Sequence, residues 1–547
     1  MKREQIIYNI LIGIVACLLP FLSSVSLGLF SRQVCITSCA IFVICILVRI
    51  FSSKSKVLLS VSKHDGFVCL YLMYGCFHFF IFRHDLPFVL FAQWVMLVGT
   101  YIVSRNMHNL YFSLLLWGSC TLQAIIGLAQ SLRIVESNHV LFLATGSFWN
   151  PSQLGGFIAC FLPLFASELI VSKKSIWHWL CLLPMACALV LSDSRAAWLA
   201  CGVGVLYILP IEFKSKAKIG LASLGVLLVS IGLYFYKPLS AAGRLYVWWI
   251  SKDMLLVNPM GGNGIHSFGD KYMLYQANYF HEHPESDFAG IASSITTPYN
   301  EFIHVLVEQG IVGFLLFLFL FGSYFFLFQN KEDKKYQGVV LAFLLFACFS
   351  YPGENPALLF GLVVCMGAVR SQEWFSLRLY SFRKYVILVM LVGCIYMNMR
   401  IVKEYCSLSC LAKSSLDPIN LIRYKNEPEV LQYLLSHNKA LNVIDQIQIQ
   451  EWISEKIPIP ETYCELGKLY ELSGEYDRAE RYYQIAADMI PNQVRGNYFL
   501  FKLYEKTGQD IKAQEMANII SQQNIKIENT FTLSVQGEIK RFLNRRK

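Results

Sequence analysis

The chain has 547 residues, 55% of them hydrophobic and only 15% charged, with a formal net charge of +10 and a mean hydropathy of +0.46. Soluble domains carry about 25% charged residues, so this balance excludes an ordinary soluble enzyme and indicates a membrane protein. The basic excess does not point to nucleic acid, because it is concentrated in alternate short loops between apolar runs, the pattern set by membrane topology.

Apolar runs long enough to cross a hydrocarbon core of about 30 Å recur through residues 5–402. Thirteen spans are expected, at about 8–30, 33–51, 66–82, 86–103, 110–130, 153–171, 176–192, 196–211, 218–236, 302–328, 337–351, 356–369 and 385–402. The first follows MKREQ without a clear small-residue cleavage site, so it reads as a helix rather than a signal peptide. The basic loops are SSKSKVLLSVSK after the second span, SKKS after the sixth, EFKSKAK after the eighth, NKEDKK after the tenth and RSQEWFSLRLYSFRK after the twelfth. They predict a cytoplasmic N-terminus and place everything beyond residue 402 outside.

The expected fold is all-α, a polytopic bundle of about thirteen transmembrane helices followed by a soluble helical domain. Residues 1–236 form the N-terminal membrane domain and 237–300 one long outer loop. Residues 301–402 supply the last four spans. Loops as long as 237–300 inside a compact domain are usually functional. After residue 402 the composition becomes that of a soluble segment, and LGKLYELSGEYDRAERYYQIAADMIPNQ matches the tetratricopeptide pattern of 34 residues. Leu466, Tyr470, Gly474 and Ala479 recur 34 residues later as Leu500, Tyr504, Gly508 and Ala513. Residues 403–547 are therefore expected to form a repeat domain, with 427–457 adding helices because two units fall short of the roughly three a stable stack needs. Such repeats bind a protein partner or pack against the membrane domain.

Several polar stretches interrupt the apolar pattern. GSFWNPSQLGGFIACFLP (146–163) puts Asn150-Pro151 at a helix start, and Gly155 and Gly156 where a neighbouring helix can approach closely. LVLSDSRAAWLA (189–200) puts Arg195 at the membrane–water boundary. There it keeps its charge at little cost and serves either as an interfacial anchor or as a five-donor contact for an anion. GRLYVWW (243–249) joins Arg244 to Tyr246, Trp248 and Trp249, a mixture suited to a headgroup layer. NPMGGNGIHSF (258–268) has three glycines in four positions, which suit a tight turn and offer N–H groups to an anion. It lacks the Lys-[Ser/Thr] of a nucleotide loop. HEHPESD (281–287) has no ordered ligand spacing and reads as a solvated loop rather than a metal site. TTPYNEFIHVLVEQG (296–310) places Tyr299, Asn300, Glu301 and His304 at the mouth of an apolar helix.

In this order, GSFWNPSQLGG, SDSRAAWLA, GR…W leading to NPMGGNG, and PYNEFIHVLVEQGIVGFLLF resemble the O-antigen ligase family of bacterial membrane glycan transferases over about residues 140–370. That family includes O-antigen ligases, polysaccharide polymerases and protein O-oligosaccharyltransferases, and members with appended tetratricopeptide repeats share this architecture. The resemblance implies transfer of a glycan from an undecaprenyl-diphosphate carrier at the outer face of the inner membrane, with no nucleotide, metal or other cofactor. The acceptor is a lipid A core, a glycan or a protein. Arg195 and Arg244 match the arginines that hold the donor diphosphate. The family's His-Asn pair, whose histidine is the base, falls on Tyr299-Asn300. The usual base is therefore missing, and His304, one helical turn beyond Asn300, or the adjacent Glu301 substitutes for it, or Tyr299 orients the acceptor. A transporter of lipid-linked glycans lacks support from matched inverted halves. A silent scaffold for a surface-glycan machine draws its support from Tyr299.

Overall fold

The computed structural model describes residues 2–22, 31–52, 58–82, 88–105, 110–139, 142–171, 176–209, 238–327, 333–369, 374–378, 383–411, 424–437, 441–523 and 529–546, with isolated positions at 225–236 and 422. Contacts divide the chain into two compact units. One comprises Met1–Lys237, Tyr299–Val305 and Val312–Lys403; the other comprises Pro238–Pro298, Leu306–Ile311 and Glu404–Lys547.

The first unit is built from α1 (Lys2–Leu22), α2 (Ser31–Ser52), α3 (Lys63–Phe82), α4 (Phe88–Arg105), α5 (Leu110–Ser131), α6 (Pro151–Val171), α7 (Ile176–Leu191) and α8 (Arg195–Ile208). Later in the chain come α11 (Glu301–Leu327), broken at Gly310 and with Leu306–Ile311 in the second unit, α12 (Lys334–Ala347), α13 (Pro356–Ala368) and α14 (Arg383–Leu411), which the first unit holds as far as Lys403. Among the described residues, Phe112–Ser131, Pro151–Ile170 and Glu301–Leu327 are long and apolar enough to cross a membrane. Shorter apolar helices stand at other expected spans, and most of the ninth, 218–236, lies outside the described residues. So do the basic loops 172–175 and 212–218.

The small residues act as the sequence suggested. A Cβ on Gly155 would lie 2.5 Å from Ser192 Oγ, and one on Gly156 2.3 Å from Phe346 Cε1. Helix α6 can thus press its backbone against its neighbours, with Phe157, Phe161 and Phe165 filling the surrounding core. The all-α expectation needs one amendment. Leu58–Val61 pairs antiparallel with Phe375–Arg378, Leu58 opposite Arg378 and Val61 opposite Phe375. Both segments are too short to close a helix, so their backbone groups satisfy one another across the ladder. They come from the basic loops after the second and twelfth expected spans, and Lys334 Nζ donates to the Leu209 carbonyl (3.2 Å) between the loops after the eighth and tenth. Loops of like parity therefore meet.

In the second unit, residues 238–298 are folded rather than irregular. They form α9 (Pro238–Val257), α10 (Ser267–Glu282) and a short 3₁₀ turn, Asp287–Gly290. Between α9 and α10 the glycine turn crosses the 306–311 backbone closely. Gly262 has φ +74° and Gly310 φ +67°, and a Cβ on Gly310 would sit 2.2 Å from the Met260 carbonyl oxygen. The N–H groups of Gly262, Asn263 and Gly264 donate to the carbonyls of Asn258, Val307 and Glu308. The turn is therefore a backbone crossing and not an anion cradle, since its donors are consumed within the fold.

The C-terminal part supplies α15 (Pro428–His437), α16 (Val443–Lys456), α17 (Pro460–Leu472), α18 (Tyr476–Met489), α19 (Val494–Lys506), α20 (Asp510–Gln522) and α21 (Thr530–Arg546). The 34-residue recurrence falls on structurally matching positions. Gly474 and Gly508 have φ +84° and +70° in the turns after α17 and α19. Leu466, Leu500, Ala479 and Ala513 are buried between paired helices.

Candidate functional site

Four chain segments meet at one end of the first unit. Asn150 opens α6, its Oδ1 accepting from the Ser152 N–H (2.8 Å), while its Nδ2 donates to the Tyr351 hydroxyl (3.0 Å). Ser152 Oγ lies 3.2 Å from Ser194 Oγ and 3.4 Å from Ser350 Oγ. The Tyr351 ring meets the Tyr299 ring at a 64° angle with centroids 5.6 Å apart. Asparagine side chains start two further helices here. Asn300 Oδ1 accepts from Phe302 N and Ile303 N at α11, and Asn355 Oδ1 from Ala357 N and Leu358 N at α13.

Glu301 and His304 stand side by side on the first turn of α11, His304 Nδ1 3.6 Å from Glu301 Oε1. Both are largely buried, with side chains 11% and 13% exposed for His304 and Glu301. The other Glu301 oxygen accepts from Gly353 N (3.4 Å). A Cβ on Gly353 would fall 2.3 Å from Glu301 Oε1, so only glycine lets the carboxylate lie against this turn. Two non-glycine residues at the site hold left-handed backbone, Asp193 at φ +48° and Tyr299 at φ +53°. For a bulky aromatic that conformation costs on the order of 1 kcal/mol or more, and such strain concentrates at functional sites.

Of the residues singled out from sequence, Tyr299, Asn300, Glu301 and His304 are thus in one cluster. Arg195 opens α8 directly after Ser194, which contacts it through Ser152. Arg244 belongs to the second unit, half-buried on α9. One turn further, Trp248 Nε1 donates to the carbonyl of Pro298 (2.9 Å), the residue immediately before Tyr299. Tyr246 departs from the expected headgroup role. It is 2% exposed and packs on Phe288, Phe280 and Tyr279 with centroids 5.0, 5.8 and 5.8 Å away. Trp249 remains exposed. His281 of HEHPESD bonds Asp488 (2.9 Å), and among the described residues no group of three or more His, Cys, Asp or Glu could hold a metal ion.

Sequence reasoning passed over Tyr351, Ser350, Gly353 and Ser152. The available signal was SYPGEN: a polar, turn-forming stretch between two short apolar runs.

Comparison with known proteins falls on two of these four segments, at Ser194 and at 299–304. Residues 180–318 match a family model described as O-antigen ligase. A Rickettsia conorii protein carrying the name "putative polysaccharide ligase" is 30% identical over 183 residues, 29% of this chain and 40% of that relative. The chain thus spans about two fifths of the length of the curated relative it matches. Arg195, Arg244 and the 299–304 cluster all lie inside the stretch that is similar to the O-antigen ligase model.

Proposed function

We propose that the chain is a membrane glycan transferase of the O-antigen ligase type, which moves a glycan from an undecaprenyl-diphosphate carrier to an acceptor hydroxyl at the periplasmic face of the inner membrane. The observation that carries this reading is the polar cluster around Glu301 and His304, assembled from four segments at one end of a helical bundle. The acceptor O–H gives its proton to the Glu301–His304 pair as its oxygen attacks the anomeric carbon, and the bond from that carbon to the diphosphate oxygen breaks. The departing diphosphate keeps the electron pair, and Arg195 and Arg244 neutralise its charge. The diphosphate ester is already an activated leaving group, so the reaction needs no nucleotide.

Within the cluster we take Glu301 and His304 rather than Tyr299 as the base. A phenol near its ordinary pKa of about 10 is a poor base at neutrality, whereas imidazole near about 6.5 suits the task. Tyr299 and Tyr351 then orient the acceptor. Polymerase and protein oligosaccharyltransferase activities remain within this reading, since acceptor choice has no separate signature here. The basic loops and the meeting of like-parity loops support a cytoplasmic N-terminus, with 238–298 and the C-terminal helices outside. The 34-residue recurrence supports tetratricopeptide repeats open to a protein partner. The scaffold reading rests on one observation, tyrosine where the family has histidine.

The test is a transfer assay with purified protein and lipid-linked glycan, comparing Tyr299→Phe, Tyr299→His, Glu301→Gln and His304→Ala at matched folding. Severe loss in the Glu301 and His304 variants supports the mechanism. An inactive wild type favours the scaffold. Reporter fusions at Asp287 and Glu475 should read outside, and a cytoplasmic signal at either would overturn the topology.

A further inference from the structure

In the second unit, α10 lies on the C-terminal helices, and one side chain ties this contact together. Gln276 is 0% exposed. Its Nε2 donates to the Met489 carbonyl (2.6 Å), the last residue of α18, and to the Ser293 carbonyl (3.2 Å) in the segment running to Pro298. Both donors are used, while Oε1 accepts no hydrogen bond among the described residues. A buried acceptor left unpaired costs roughly 1–3 kcal/mol, so an amide at this position carries a penalty that an apolar side chain would avoid. The contact beside it is not a sealed apolar interface. A cleft of about 520 Å³ opens between α10 and α18, lined by Asn278, His281, Arg481, Gln484 and Asp488 among others. Gln276 and the His281–Asp488 pair add directed bonds to the contact of α10 with α18.

From α10 the contacts continue to α9 within the second unit. Tyr279 and Phe280 of α10 pack on Tyr246 of α9, two residues from Arg244. Trp248 of α9 bonds the Pro298 carbonyl, and the chain passes directly into Tyr299. We infer that Gln276 is a positioning residue. Through it the C-terminal helices serve as a rest that orients the Arg244 helix and the 293–298 segment, a role separate from any partner they bind. The inference rests on the proposed assignment of Arg244 to the donor diphosphate.

The test is Gln276→Met in the full-length purified protein. This change keeps length and bulk, removes both donors and also removes the unpaired acceptor. Transfer is followed for KM and kcat with undecaprenyl-diphosphate-linked glycan, alongside backbone amide exchange. The expected result is a KM for donor raised about tenfold with kcat within about twofold, faster exchange across residues 238–257, and unchanged exchange in α17 and α19. Unchanged donor KM would overturn the inference. So would uniformly faster exchange throughout the second unit, which marks a merely structural side chain. If the wild type itself transfers nothing, the functional reading fails on its own. Gln276 is then judged by exchange in 238–257 and by titration with undecaprenyl diphosphate, where equal behaviour of the two proteins rejects it.

Discussion

Asn150 donates to the Tyr351 hydroxyl over 3.0 Å, joining residues 201 positions apart. The bond fixes the phenol whose ring lies against Tyr299. Tyr351→Phe keeps the ring contact but leaves Asn150 Nδ2 without this acceptor, so transfer should fall about tenfold while membrane expression stays normal. Asn150→Ala should lower it further, because the cap at the start of α6 is lost as well. Quantitative transfer kinetics at matched protein level provide the measurement, and full activity in both variants would remove the pair from the site.

Arg195 and Arg244 should act through donor geometry as well as charge. Lysine keeps the charge but loses the planar fork that suits phosphate oxygens. Arg→Lys at either position should cost about 10-fold to 100-fold in kcat/KM with normal expression. Wild-type kinetics in both lysine variants would reduce the two residues to interfacial anchors.

The glycine crossing in the second unit separates two kinds of left-handed glycine. At Gly310 a Cβ meets the Met260 carbonyl oxygen at 2.2 Å on top of the strained φ, whereas Gly474 has open space at φ +84°. Gly310→Ala should therefore destabilise by more than about 3 kcal/mol and reduce folded yield, and Gly474→Ala by only about 1 kcal/mol. Thermal unfolding of the two variants tests the ranking, and equal losses would contradict it.

Two carboxylates of the C-terminal helices should respond to pH with opposite sign. Burial pushes the Asp488 carboxyl above its usual 3.8, more than the His281 and Gln484 bonds pull it down. The folded form thus holds its proton more tightly than the unfolded chain, and stability falls as pH rises from that usual value through the raised one. Asp488→Asn should raise the unfolding temperature by about 2 °C at neutral pH. Glu480 behaves conversely. Burial opposes its ionisation, but the Lys512 ammonium and the Tyr504 hydroxyl outweigh it and hold the carboxyl below its usual 4.5. Its contribution is complete above that usual value and is lost as pH falls through the lowered one, so Glu480→Gln should flatten the acid side of the stability curve. Unfolding scans from pH 3 to pH 7 on both variants would expose a wrong sign.

Hydropathy and charge alternation were enough to recognise a membrane chain, because the free energy of crossing a bilayer is set span by span and can be read locally. The 34-residue recurrence was equally legible, since each helix pair reuses the same buried positions, Leu466 with Leu500 and Ala479 with Ala513. The helix-start signal at Asn150 was local too. What the sequence alone could not decide was which loops meet. That Tyr351 reaches Asn150, that Gly353 admits the Glu301 carboxylate, and that Gln276 spans from α10 to the end of α18 depend on helix packing across long stretches of chain. Residues 237–300 read as a loop for the same reason. Helix α10 packs against α18, about two hundred residues away, and that tertiary contact helps turn an aromatic, polar stretch into ordered structure.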